Sequence, residues 1–142
     1  MAAVTITSQQ QTTLTTPVAS LLAIAVAANK IYGVRFYGAV ENSSGGWRIG
    51  LNGPADAVLD GWVESSGNLA LTSLARGEVT TINALVTTSA AAAGGRGYGR
   101  MWARVKTTTA GTLTLAFGSI TNGVTTTLHA GCMFVVEEIV EA

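Results

Sequence analysis

The chain has 142 residues and a mass of 14.5 kDa, with 48% apolar residues, 11% charged residues and a formal net charge of zero. That length suits one domain, and the mean hydropathy of +0.40 excludes a disordered chain, which needs low hydropathy and high net charge. Eight basic residues against eight acidic ones give no electrostatic footprint for nucleic acid or an anionic membrane, so neither partner is expected.

A single cysteine, Cys132, and a single histidine, His129, offer neither an intrachain disulfide nor a usual metal site, so no metal or cofactor is expected. The N-terminus lacks the positive region of a secretory signal. The longest apolar run, residues 21–28, falls far short of the roughly twenty residues a spanning helix needs. Together these features predict a cytosol-made, thiol-reduced protein whose apolar excess meets other protein.

Residues 1–17 predict an extended N-terminal arm. Val4, Ile6 and Leu14 stand among threonines, a polar Gln9-Gln10-Gln11-Thr12-Thr13 run follows, and Pro17 closes the segment. Such an arm is expected to order by adding a strand to a neighbouring subunit, with a strand of its own subunit as the alternative. The remainder, residues 18–142, predicts one β-sandwich domain. Residues 21–28 favour a buried strand over a short helix.

Period-2 alternation then recurs. Tyr32, Val34, Phe36 and Val40 share one strand face, and Trp47, Ile49 and Leu51 share another. Val79 to Leu85 alternates more weakly. Met101, Ala103 and Val105 alternate with Trp102, Arg104 and Lys106, and Leu113, Leu115 and Phe117 make the cleanest half-buried pattern. Val124, Thr126 and Leu128 follow, then the apolar run Met133 to Val136. Asn42–Gly46 has hairpin length, and Ser66-Gly67-Asn68, Thr109-Ala110-Gly111 and Thr121-Asn122-Gly123 mark further turns. Residues 90–99, rich in Ala and Gly, predict a flexible loop. The whole predicts an all-β, antiparallel sandwich of eight or nine strands, jelly-roll-like in the first instance.

Few residues suggest chemistry. His129 and Cys132 are three apart, yet no third orienting group is visible, so they read as a surface His beside a small buried Cys. Asp56, Asp60 and Glu64 recur every four residues, but Gly61 argues against a helix and makes them solvated charges flanking a strand. Glu137, Glu138 and Glu141 are expected to blunt an edge or tail. Gly94 to Arg100 lacks the strand-loop-helix setting and Lys-Ser/Thr of a phosphate loop. No catalytic constellation emerges, and the chain reads as non-enzymatic. Trp47, Trp62, Trp102, Tyr37 and Tyr98 suit subunit-interface anchors better than a sugar-stacking platform, with at least one Trp in the core. With Val4, Ile6 and Leu14 they are the candidate interface residues.

Two stretches carry a resemblance: Tyr32 to Tyr37 running through Gly46-Trp47-Arg48-Ile49-Gly50-Leu51-Asn52-Gly53-Pro54-Ala55, and Thr108 to Phe117 with Val124 to Leu128, Ala130-Gly131-Cys132 and the terminal strand. The pattern resembles small β-rich virion structural proteins of tailed bacteriophages, in particular capsid decoration (cement) proteins. The resemblance implies a homo-oligomer, a trimer first, made in the bacterial host cytoplasm. It would be seated on the major capsid protein at the outer capsid surface and stabilise the head. The alternative is a tail or fibre-tip module recognising a host-surface glycan.

Overall fold

The computed structural model describes residues 1–44, 46–66, 74–87 and 96–140. It is built entirely of antiparallel strands: β1 (Ala2–Thr5), β2 (Gln10–Thr12), β3 (Val18–Val26), β4 (Lys30–Asn42), β5 (Trp47–Asn52), β6 (Val58–Ser66), β7 (Leu74–Val79), β8 (Ala84–Thr87), β9 (Arg96–Thr107), β10 (Gly111–Ser119), β11 (Thr126–Leu128) and β12 (Met133–Glu138). They form an eight-stranded sheet, in the order β1-β12-β4-β9-β6-β7 with β11 joining β2 to β4, and a four-stranded sheet, β3-β10-β5-β8. The twelve strands among the described residues exceed the eight or nine expected, because the supposed arm adds two and the Val79–Leu85 run breaks in two. Asn83, with φ of 61°, turns the chain there. The two-sheet sandwich is the fold, and the jelly-roll refinement stays an expectation from the sequence.

The thirteen-residue β4 is the spine of the large sheet. β9 runs along one side of it from Lys30 to Glu41, while β12 and then β11 share the other. Val34, Phe36 and Val40 point inward from β4 and Met101, Ala103 and Val105 from β9. They meet Ile49, Leu51, Leu113, Leu115 and Phe117 from the small sheet in one continuous core. The alternation read from the sequence therefore faces the right way, and residues 21–28 lie mostly in strand β3, with Leu22 buried and Leu21 exposed.

The structure corrects three expectations. The hairpin reading fails for most turns: from β2 to β6, and again from β7 to β11, every connection changes sheet. Among the described residues, β6 and β7 alone are consecutive strands that pair with each other. The Asn42–Gly46 connection is instead a corner. Asn42 Oδ1 accepts from the Ser44 and Gly46 amides at 2.9 and 3.2 Å, while its Nδ2 donates to Thr126 Oγ1 at 2.7 Å. Turn residues specify a reversal of direction, and a sandwich corner needs the same chemistry as a hairpin.

The N-terminal segment is the second correction. β1 pairs with β12 of its own chain, and β2 pairs with β11. Ile6 is buried in the core, exchanging backbone hydrogen bonds with Cys132 and Gly131. Arg48 Nη2 donates to Thr15 O at 2.6 Å. Residues 1–17 thus lie on the sandwich, with Ile6 buried and Val4 packed against the core while Met1 and Leu14 stay exposed.

The flexible-loop expectation for 90–99 is overturned for 96–99, which open β9 and pair with β4. Residues 90–95 lie outside the described residues, as do 67–73 between β6 and β7 and Glu141.

Candidate functional site

The outward face of the large sheet gathers the aromatics that the core does not use. Cross-strand register places Arg35, Trp102, Trp62 and Glu78 in one row across β4, β9, β6 and β7. The next row, two residues along each strand, is Tyr37, Arg100, Glu64 and Arg76. Strand side chains of one parity share a face, so both rows project away from the core. Trp62, Trp102 and Tyr37 remain 40%, 42% and 52% exposed. Tyr37 stacks on Tyr98 diagonally across β4 and β9, with ring centroids 5.8 Å apart and planes at 19°. Offset stacking of this kind holds both rings in place.

Glu64 organises the charges. Its carboxylate accepts from Arg76 Nε at 2.7 Å through one oxygen and from Arg100 Nε at 2.7 Å through the other, with Arg100 Nη2 also on that second oxygen. Only 6% of the Glu64 side chain is exposed, because the two guanidiniums cover it. Burial alone would raise its pKa, but hydrogen bonds from Arg76 and Arg100 outweigh that and hold it below the usual carboxylate value. Arg100 in turn lies over the Trp62 ring, 5.8 Å from its centroid, within cation–π range. A groove of about 520 Å³ runs beside this ridge, with Tyr37, Trp62, Trp102 and Met133 in its walls. A second of about 790 Å³ lies between Trp62 and Arg76. Both fall within the range of about 300–1,000 Å³ typical of binding clefts.

Of the eight candidate interface residues, Tyr37, Trp62, Tyr98 and Trp102 come together on this face. The other four do not. Trp47 is core, Ile6 is buried and Val4 packs against the core. Leu14 is half exposed but elsewhere, its carbonyl accepting from the Ser119 amide at 2.8 Å. Sequence reasoning missed Arg100, Arg76 and Glu64, whose clamp spans three strands and leaves no local pattern. Glu64 is a buried clamp rather than a solvated charge. Asp56 accepts from Thr109 Oγ1 at 2.9 Å in the turn before β6.

The opposite end of β4 holds a second polar group. His129 Nε2 lies 2.7 Å from Glu41 Oε2, and Arg96 Nη2 lies 3.2 Å from His129 Nδ1. The imidazole thus sits between the Glu41 carboxylate and the Arg96 guanidinium, each within hydrogen-bond distance of one ring nitrogen. The reading of His129 as a surface residue is corrected: its side chain is 14% exposed and engaged at both nitrogens. Cys132 lies apart from that chemistry. Its thiol donates to Ala39 O at 3.4 Å, and burial pushes its pKa up to about 11. Glu137 pairs with Arg35 and Glu138 with Lys30 at the end of β12, past Val136, the last residue that β1 covers. Among the described residues no group of three His, Cys, Asp or Glu is placed to hold a metal ion, and no helix is long and apolar enough to cross a membrane.

Fold and face together define an all-β sandwich carrying an exposed aromatic–arginine surface on its larger sheet. No family model, curated protein or solved structure matches the chain at the significance required.

Proposed function

We propose that this chain is a non-enzymatic structural protein of a phage virion, a capsid decoration protein that binds the major capsid protein and its own copies and stabilises the head. The observation that carries the reading is the pairing of Trp62 and Trp102 at one register position, flanked by Tyr37 and Arg100 on an exposed sheet face. Trp, Tyr and Arg dominate the binding energy of protein interfaces, because each contributes a large rigid contact area with a polar end. The low charge of the chain leaves little repulsion to oppose lasting contact with protein.

The test is attachment to heads assembled without this chain. Added protein is expected to bind and to raise the temperature or osmotic stress the heads survive. The variant Trp62→Ala/Trp102→Ala is expected to stay folded and to lose attachment. Attachment of the intact chain to tails or host-surface glycans, with none to heads, would replace this reading with that of a receptor-binding tail module.

A further inference from the structure

We infer that the aromatic–arginine face takes a second copy of this chain, packed sheet against sheet about a two-fold axis that runs along the β9–β6 seam. The inference rests on the reading of this face as a protein-docking surface and names its occupant. It replaces the trimer implied by the resemblance with a two-fold contact.

The argument is the order of charges across the face. From β4 to β7 the outward rows read Arg35, Trp102, Trp62, Glu78 and Tyr37, Arg100, Glu64, Arg76. A third row holds Arg104 on β9 opposite Asp60 on β6, and one residue beyond the last β6–β9 pair, Ser65–Gly99, the same register sets Ala39 and Tyr98 on one side against Ser66 and Leu74 on the other. Arg35, Arg100 and Arg104 thus stand on the β9 side of the seam and Glu78, Glu64 and Asp60 on the β6 side, with Arg76 the one base among the acids. Rotation by 180° about an axis along the seam maps each row onto itself in reverse. Trp102 then lies over Trp62 of the second copy, Arg100 over its Glu64, Arg104 over its Asp60 and Arg35 over its Glu78. Tyr37 meets Arg76 of the second copy, a cation–π arrangement, and Ala39 meets its Leu74.

The Arg100–Glu64 pair within one chain is not broken by this contact. Glu64 stays covered by Arg76 and Arg100 of its own chain, so the charges that gain an opposite neighbour across the axis are Arg35 with Glu78 and Arg104 with Asp60. An arbitrary partner would have to match this order; a second copy matches it by symmetry, as isologous interfaces do. Antiparallel sheets pack face to face about 10 Å apart in near-aligned fashion, so the geometry is an ordinary one. Strand spacing and rise give the four rows on four strands roughly 500 Å² per copy. That reaches the total of about 1,000 Å² that a specific interface needs without approaching an obligate one. The expected dimer is therefore reversible, forming in the micromolar range.

Sedimentation equilibrium of the full chain tests this with a charge swap on one row. Glu78 and Arg35 are both exposed and lie outside the core, so fold can be monitored separately by circular dichroism. Because each contact occurs twice in an isologous dimer, Glu78→Lys and Arg35→Glu are each expected to weaken association by about tenfold or more. The double variant restores opposite charges across the axis and is expected to associate nearly as the unaltered chain does. A monomer throughout the micromolar range overturns the inference. So does an oligomer whose mass ignores all three variants, or a double variant no better than the singles. Should Trp62→Ala/Trp102→Ala abolish attachment to heads while the intact chain sediments as a monomer, the docking reading stands and the second copy is excluded. Should the swap govern dimerisation while that variant still attaches to heads, the inference stands and the capsid role of this face falls.

Discussion

Trp47 packs against Gly99: a Cβ at position 99 would stand 2.8 Å from Cη2 of the indole. The tryptophan is on the small sheet and the glycine on the large one, so the widest side chain of the core fits where the facing strand has none. The same logic operates at Gly38, level with Gly99 in the β4–β9 register, where a Cβ would stand 2.9 Å from Cα of Cys132.

Gly99→Ala and Gly38→Ala are therefore expected to destabilise the fold by about 1–3 kcal/mol each through overpacking. Gly38→Ala is the worse of the two, since its obstacle is backbone as well as a side chain. Urea denaturation of both variants beside Ala39→Gly, which adds nothing to the core, checks the order.

Deleting residues 2–16 is expected to cost far more than losing a free arm would. It removes β1 and β2 from the large sheet and takes Ile6 out of the core. Burying a side chain of that size contributes roughly 1.5–3 kcal/mol before any backbone pairing is counted. The expected outcome is an unfolded or strongly destabilised product by circular dichroism, whereas an unchanged melting temperature would show that the segment contributes nothing to its own sandwich.

Glu64→Gln is expected to destabilise by about 1–2 kcal/mol, a figure discounted for the solvent around the two exposed arginines. The pH dependence has a definite sign. The folded pKa of Glu64 lies below its unfolded value, so its contribution is present in full above the unfolded value and is lost as pH falls through the folded one. Stability measured from neutral pH downward should decline less steeply in the Gln variant than in the parent.

Cys132 gives a second titration, of opposite direction. Its folded pKa is raised to about 11, above the ordinary thiol value of about 8.5. Between these values the unfolded thiol ionises while the folded one stays protonated, so stability falls as pH rises through that window. Iodoacetamide at pH 8 is expected to leave the native thiol unmodified and to label it in denaturant. Rapid native labelling would show the thiol to be open.

How far the fold could be read from sequence follows from where the signal lies. Val34, Phe36, Leu113, Leu115 and Phe117 announce their strands because one face of each is buried and the period is two. Gly99 carries no strand signal of its own, since its missing side chain makes room for Trp47 on the other sheet. The turns were legible as turns, but a local sequence does not record whether the chain returns beside itself or crosses to the facing sheet. The site divided in the same way. Trp62 and Trp102 are conspicuous by type, while the Glu64 clamp depends on Arg76 and Arg100, which arrive from strands 12 and 36 residues away.

The most direct test of the docking face is a cryo-electron microscopy map of the parent particle at side-chain detail. The account predicts this chain on the outer lattice of the head with Trp62 and Trp102 covered by protein density. A map placing the chain away from the head, or leaving both indoles open to solvent, would contradict it.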